Sequence, residues 1–130
     1  MLAVDTNVVV RFLVRDDAAQ SARAAALIGR EQIWVSRTVL LETEWVLRRL
    51  YAYSPTAVAS SLRDLLGLDS VTPEDPAVVE QALDWLDGGM DFADALHLAA
   101  SAVADQFATF DRKLAGAAKR VGAGRVLLLT

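Results

Sequence analysis

The chain has 130 residues, 54% hydrophobic and 23% charged, enough to bury a core, and is expected to form one domain over residues 1–130. A net charge of −4 and a pI near 4.9 argue against nucleic-acid binding by bulk charge, while leaving room for local basic patches around an acidic centre. With no cysteine and one histidine, His97, disulfides and thiolate metal sites are excluded, and any metal would be held by oxygen.

Residues 2–4 form an apolar run that stops at Asp5, Thr6 and Asn7, and they read as a short buried strand delivering Asp5 to a site. Asp5 or Thr6 caps the next helix, with Val9, Val10, Leu13 and Val14 on its apolar face and Arg11 and Arg15 on another. The Val8-Val9-Val10 run is interrupted by Arg11 and has neither the charge order of a signal peptide nor the length of a membrane span, so a cytoplasmic protein is expected. Asp16-Asp17 opens an alanine-rich helix ending at Gly29, and residues 33–35 are a short buried strand. Ser36 caps a helix to about Tyr51, Ser54-Pro55 starts another that stops at Gly67, and a very short strand is expected around Val71. Asp75-Pro76 repeats the cap-then-proline signal before a helix closed by Gly88-Gly89, and Asp91 begins an alanine-rich helix to about Ala104. Residues 107–110 form a strand, Asp111 caps a short helix, and residues 126–129 form an all-apolar strand. Continuous apolar strands separated by helices indicate a mainly parallel α/β sheet covered on both faces.

Asp5 and Asp111 each follow a strand and precede a helix, the edge where ligands collect in open α/β sheets. A plain helix cap is the competing reading of each. Glu42 has Val39, Trp45 and Val46 as helical neighbours and no base at i+4, which makes it a candidate for a site, or an amphipathic edge residue reaching Arg49. Glu44 has Arg48 at i+4, an ordinary surface pair on the order of 0.3 to 0.5 kcal/mol. Asp91 and Asp94 share the first turn of a helix, Asp91 placed as its cap and Asp94 as a ligand kept ionised by the helix terminus. His97 receives no role, and Trp34, Trp45 and Trp85 read as core or interface.

Two like charges about 4 Å apart repel by roughly 4 kcal/mol at an effective dielectric of 20, so converging carboxylates need a cation or a proton. Oxygen-only ligation favours Mg²⁺ or Mn²⁺. The chain has no glycine-rich phosphate loop and no serine or cysteine nucleophile with a histidine base, which leaves metal-assisted hydrolysis. Arg11, Arg15, Arg49, Arg112 and Lys113 lie near the acids in sequence and could neutralise a nucleic-acid backbone, with Arg11 and Arg15 the chosen substrate-binding pair.

Four stretches in order, Asp5-Thr6-Asn7 followed by Val8-Val9-Val10-Arg11, Leu41-Glu42 through Trp45-Val46-Leu47, Phe92-Ala93-Asp94-Ala95-Leu96, and Thr109-Phe110-Asp111, resemble the motifs of the PIN-domain family. The resemblance is closest to the VapC-like ribonuclease toxins of type II toxin-antitoxin pairs. It implies a three-layer α/β/α sandwich on a five-stranded parallel sheet of order 3-2-1-4-5, with Asp5 and Asp111 as neighbours. It implies that Asp5, Glu42, Asp94 and Asp111 are the catalytic acids and ligands of Mg²⁺ or Mn²⁺, supported by hydrogen bonds from Asn7 and Thr109. The implied substrate is single-stranded or structured RNA, cut by a metal-activated water to leave a 5′ phosphate. The implied partners are a second copy in a homodimer and a cognate antitoxin whose basic side chains enter the acidic pocket. A non-catalytic PIN module serving as a binding or scaffold protein is the alternative. A phosphoacceptor or phosphatase domain is disfavoured, because Asn7 stands where such phosphatases carry a second aspartate.

Overall fold

Six of the seven helices start at a residue whose side chain accepts a hydrogen bond from a free N–H of the first turn, which is why their starts follow the Asp and Ser punctuation of the sequence. The computed structural model describes residues 1–130, in the order β1 (Leu2–Ala3), α1 (Thr6–Val14), α2 (Ala18–Arg30), β2 (Ile33–Val35), α3 (Arg37–Leu50), α4 (Pro55–Leu66), β3 (Val71–Pro73), α5 (Pro76–Asp87), α6 (Phe92–Ala100), β4 (Phe107–Thr109), α7 (Arg112–Arg120) and β5 (Val126–Leu128). The chain divides into two compact units, Met1–Pro76 and Ala77–Thr130. No helix is long and apolar enough to cross a membrane.

In the first unit, β1, β2 and β3 form a parallel sheet in that order, with Leu2 opposite Ile33 and Ile33 opposite Val71. Its core is built from Val9 and Val10 of α1, Ile33 and Val35 of β2, Leu40 and Leu47 of α3, and Leu62 of α4, all nearly inaccessible to solvent. In the second unit, β4 and β5 pair in parallel, with Phe107 opposite Val126. Val79, Leu83, Phe92, Leu98 and Leu114 fill its core. The α/β class and the parallel strand direction are as expected, but the strands lie in sheets of three and two rather than one of five. The two sheet orders, β3-β2-β1 and β4-β5, are the two runs of the expected order.

Three expectations need correction. The first strand is not buried: both residues of β1 are exposed, Leu2 to 42%. A two-residue strand pairs along one short ladder and has no length with which to hide its side chains. The helix from Asp91 stops at Ala100 rather than near Ala104. There the Ser101 hydroxyl donates to the Leu98 carbonyl at 2.7 Å, and the Arg125 guanidinium donates to the carbonyls of Leu98, Ser101 and Ala104 at 3.2, 3.2 and 2.9 Å. Carbonyls that would have continued the helix are thus satisfied from outside it. Asp75 does not cap α5: it sits in the left-handed region at φ +48, and its carboxylate faces the Arg37 guanidinium at 3.4 Å.

The glycine pair after α5 serves two separate needs. A Cβ on Gly88 would meet Val121 Cγ1 at 2.6 Å, so this is a close approach that only glycine permits. Gly89 turns the chain at φ +97, where a side chain is strained.

Candidate active site

In the first unit the site is assembled by the turn from β1 into α1. Asp5 has an extended backbone, and its Oδ1 accepts from the Val8 N–H at 3.2 Å, which fixes the carboxylate at the start of α1. Only Oδ1 is used by the cap, and Oδ2 makes no hydrogen bond. The next residue, Thr6, is 7% exposed and donates its hydroxyl to Glu42 Oε1 on α3. Helix α1 packs against α3, so two acids distant in sequence, Asp5 and Glu42, are tied to consecutive residues of one turn.

The neighbourhood of Glu42 differs from its helical-wheel reading. The buried face of α3 is Leu40, Thr43, Glu44 and Leu47, and Glu42 lies outside it, exposed to solvent. Trp45, expected in core or interface, is 49% exposed. Glu44, expected at the surface, is 4% exposed and accepts from Arg48 Nε at 2.8 Å and Nη2 at 3.5 Å. Glu44 is thus the carboxylate whose burial requires a partner, and Arg48 provides it. Burial on this helix follows an i, i+3, i+4, i+7 face with two polar members, which hydropathy alone does not reveal.

Asn7, expected to support the acids, is exposed and makes no hydrogen bond; it lines a cavity of about 310 Å³ with Val8, Arg11, Gln20, Arg23, Ala24 and Leu27. The hydroxyl beside it does the bonding. Arg11, expected on RNA, is engaged within the protein: Nε donates to Gln20 Oε1 at 2.7 Å, and Nη1 lies 3.1 Å from Asp16 Oδ1 and 3.3 Å from the Tyr51 hydroxyl. Tyr51 in turn donates to Asp16 Oδ2 at 2.8 Å. That bond first, then a backbone hydrogen bond and the Arg11 charge, hold the Asp16 carboxyl below its ordinary value. Arg15 closes α1 in the left-handed region at φ 60, with its guanidinium 5.1 Å from the centre of the Phe12 ring.

In the second unit, the charges of Asp91 and Asp111 act on Asp94. Asp91 caps α6 through Oδ2, which accepts from the Asp94 N–H at 3.1 Å. Asp94 is half-buried, and burial first, then the charges of Asp91 and Asp111, hold its carboxyl above the ordinary value; His97 and Lys113 pull it partway back. Asp111 caps α7, its Oδ1 accepting from Lys113 N at 2.8 Å and Leu114 N at 3.1 Å, while its own N–H donates to Thr109 Oγ1 at 3.0 Å. Thr109 thereby fixes the backbone from which the Asp111 carboxylate projects. His97 is exposed and makes no hydrogen bond to Asp94, three residues earlier.

The donor set fits a hard divalent cation. Every candidate ligand is a carboxylate, each capping aspartate uses one oxygen and keeps the other open, and Asp94 feels the charges of Asp91 and Asp111, partly offset by His97 and Lys113. No three Asp, Glu or His side chains are gathered tightly enough to enclose a metal ion as they stand. Residues 2–120 match the PIN domain, and the chain belongs to the PIN domain family. PIN domains are in general nucleases, and they generally use divalent metal ions. Comparison with curated proteins gives no match.

Proposed function

We propose that this protein is a metal-dependent endoribonuclease, the VapC-like toxin of a type II toxin-antitoxin pair, in which Asp5, Glu42, Asp94 and Asp111 are the catalytic and metal-ligating acids. The observation that carries the reading is geometric: Asp5 and Asp111 each follow a strand, cap the next helix with one carboxylate oxygen and leave the other outside the cap bond, in a chain that belongs to the PIN domain family. The family match supports it by running from residue 2 to 120, across both compact units, as one domain spanning residues 1–130 would. The finer architecture that accompanies the proposal is a single five-stranded sheet of order 3-2-1-4-5.

Each side chain has a task in that reaction. Asp5 and Asp111 each keep one carboxylate oxygen outside the cap bond, which leaves it available for ligation. Thr6 restricts Glu42 through its hydroxyl, Thr109 anchors the Asp111 backbone, and Asp91 fixes the first turn that carries Asp94. When bound, Mg²⁺ or Mn²⁺ supplies a water of lowered pKa and polarises a phosphoryl oxygen. RNA is the substrate, a cytoplasmic homodimer the working form, and an antitoxin with basic side chains suited to the carboxylates the inhibitor.

The experiment is cleavage of labelled RNA by the purified chain with Mg²⁺, Mn²⁺ or EDTA, with sequencing of the ends produced. Cleavage that needs the ion, leaves 5′ phosphates and disappears in Asp5→Asn and Asp94→Asn is the expected result. Undiminished cleavage in either variant refutes the assignment of the acids. If calorimetry shows no Mn²⁺ uptake and RNA stays whole, a non-catalytic binding module replaces the enzyme. Growth arrest on expression, relieved by a small protein encoded beside it, tests the toxin role.

A further inference from the structure

Helix α7 carries Arg112, Lys113, Lys119 and Arg120 in nine residues and no acid, within a chain whose net charge is −4. All four are exposed, whereas Leu114, Ala117 and Ala118 form the buried face. The ion pairs of the structure engage Arg11, Arg37 and Arg48 and none of the four α7 cations, of which Lys113 acts at longer range on Asp94. Positions 112, 116, 119 and 120 repeat at helical spacing, so they make one stripe about 12 Å long.

The middle of that stripe is a glycine. Gly116 is exposed in a helix interior, and a Cβ there would meet only Arg120 Nη1 at 4.0 Å, so packing does not require its absence. Alanine is the better helix former at such a position. A bare backbone between cations suits the close approach of a polyanion. At the N-terminal end of α7 stands the capping Asp111, and just before it Phe110 is 77% exposed. An exposed aromatic beside a row of cations is the pairing by which proteins hold single strands, the ring stacking a base and the cations taking phosphates.

We propose that the exposed face of α7, Arg112, Lys113, Gly116, Lys119 and Arg120, is the track on which the backbone of single-stranded RNA runs to Asp111, with Phe110 stacking a base at its end. This deepens the nuclease reading and rests on it, because it names the surface that presents substrate to that site. It also moves substrate binding from Arg11, which is bonded within the protein, to cations that form no ion pair. An acidic protein segment is the competing ligand for such a face; the exposed ring and the glycine gap favour RNA.

The test is binding of a fluorescein-labelled oligoadenylate by the full chain in EDTA, followed by anisotropy, where cleavage plays no part. Lys119→Ala/Arg120→Ala is expected to weaken binding roughly ten- to thirtyfold near 0.1 M salt and to lower the logarithmic salt slope by about 1.4. Phe110→Ala is expected to cost about tenfold. Gly116→Gln is expected to raise the melting temperature while weakening binding, an opposition that a purely structural role does not produce. Arg23→Ala/Arg30→Ala removes equal charge from α2 and is expected to bind as the wild type does; an equal loss there overturns the proposal in favour of bulk charge. Undiminished RNA binding in both α7 variants also overturns it, as does polyglutamate binding that those variants abolish while RNA binding persists. The nuclease reading fails separately: α7-dependent RNA binding without Mn²⁺-dependent cleavage refutes that reading alone, and cleavage with α7-independent binding refutes this one alone.

Discussion

Thr6→Val separates what holds the first unit together from what aims Glu42. The substitution keeps the shape of a side chain that is 7% exposed and removes only the hydroxyl that donates to Glu42 Oε1. A hydrogen bond to a charged group contributes roughly 1.5–3 kcal/mol, but here the carboxylate is exposed and regains water, so about 1 kcal/mol of stability is lost. For a chain of this length that shifts Tm by about 4 °C. The effect on cleavage is larger in proportion. A freed glutamate recovers up to about 2 kcal/mol of rotamer entropy that must be surrendered again in the reacting complex. Cleavage is therefore expected to fall roughly ten- to thirtyfold. Thr6→Ser keeps the donor and should keep most of the activity. The assay is a double-mutant cycle with Glu42→Gln, reading cleavage rate and thermal melting together. If Thr6 acts through Glu42, Thr6→Val adds almost nothing to the loss already caused by Glu42→Gln. Losses that multiply, or wild-type cleavage by Thr6→Val, would refute the reasoning.

Asp94, held above its ordinary pKa, subtracts from stability when ionised, a penalty complete above the folded pKa and relieved as pH falls through it toward the unfolded value. Asp94→Asn should thus abolish cleavage yet raise Tm at neutral pH, the gain shrinking in acid; melting curves across that range check it, and a lower neutral Tm contradicts the charge conflict. Thr43 Oγ1 is buried without a partner, so Thr43→Val is expected to stabilise the fold by about 1–2 kcal/mol in urea titrations. Arg125→Ala removes the guanidinium that donates to the Leu98, Ser101 and Ala104 carbonyls and should cost about 2 kcal/mol, with amide exchange accelerating first between residues 98 and 104.

The helix starts were legible because a capping side chain is a local event: Asp5, Asp17, Ser36, Ser54, Asp91 and Asp111 bond N–H groups two or three residues ahead, within the reach of a sequence motif. What the sequence concealed depends on partners far along the chain. Arg125 ends α6 from more than twenty residues away, and Thr6 reaches Glu42 across thirty-six. The exchange of Glu42 and Glu44 has the same origin. Which face of α3 turns inward is decided by what packs against it, and Glu44 can be buried only because Arg48, one turn on, satisfies it. Arg11 looked free because its acceptors, Gln20, Asp16 and Tyr51, belong to other turns of the chain.

The capping role of Asp5 and Asp111 first competes with a catalytic one, and the geometry removes the competition. A carboxylate has two oxygens, and each of these caps uses one. The cap fixes the side chain without exhausting it, so the residue that starts the helix keeps a second oxygen for the ligation proposed above. This dictates how the acids should be removed. Asparagine caps a helix about as well as aspartate, whereas alanine forfeits roughly 1 kcal/mol of helix stability. Asp5→Asn and Asp111→Asn therefore retain the bond to the first turn and delete only the charge. If these variants melt like the wild type and do not cleave RNA, the loss belongs to the chemistry. If Asp111→Ala and Asp111→Asn lose cleavage equally while only the alanine variant melts early, the cap and the ligand are two separable functions of one side chain.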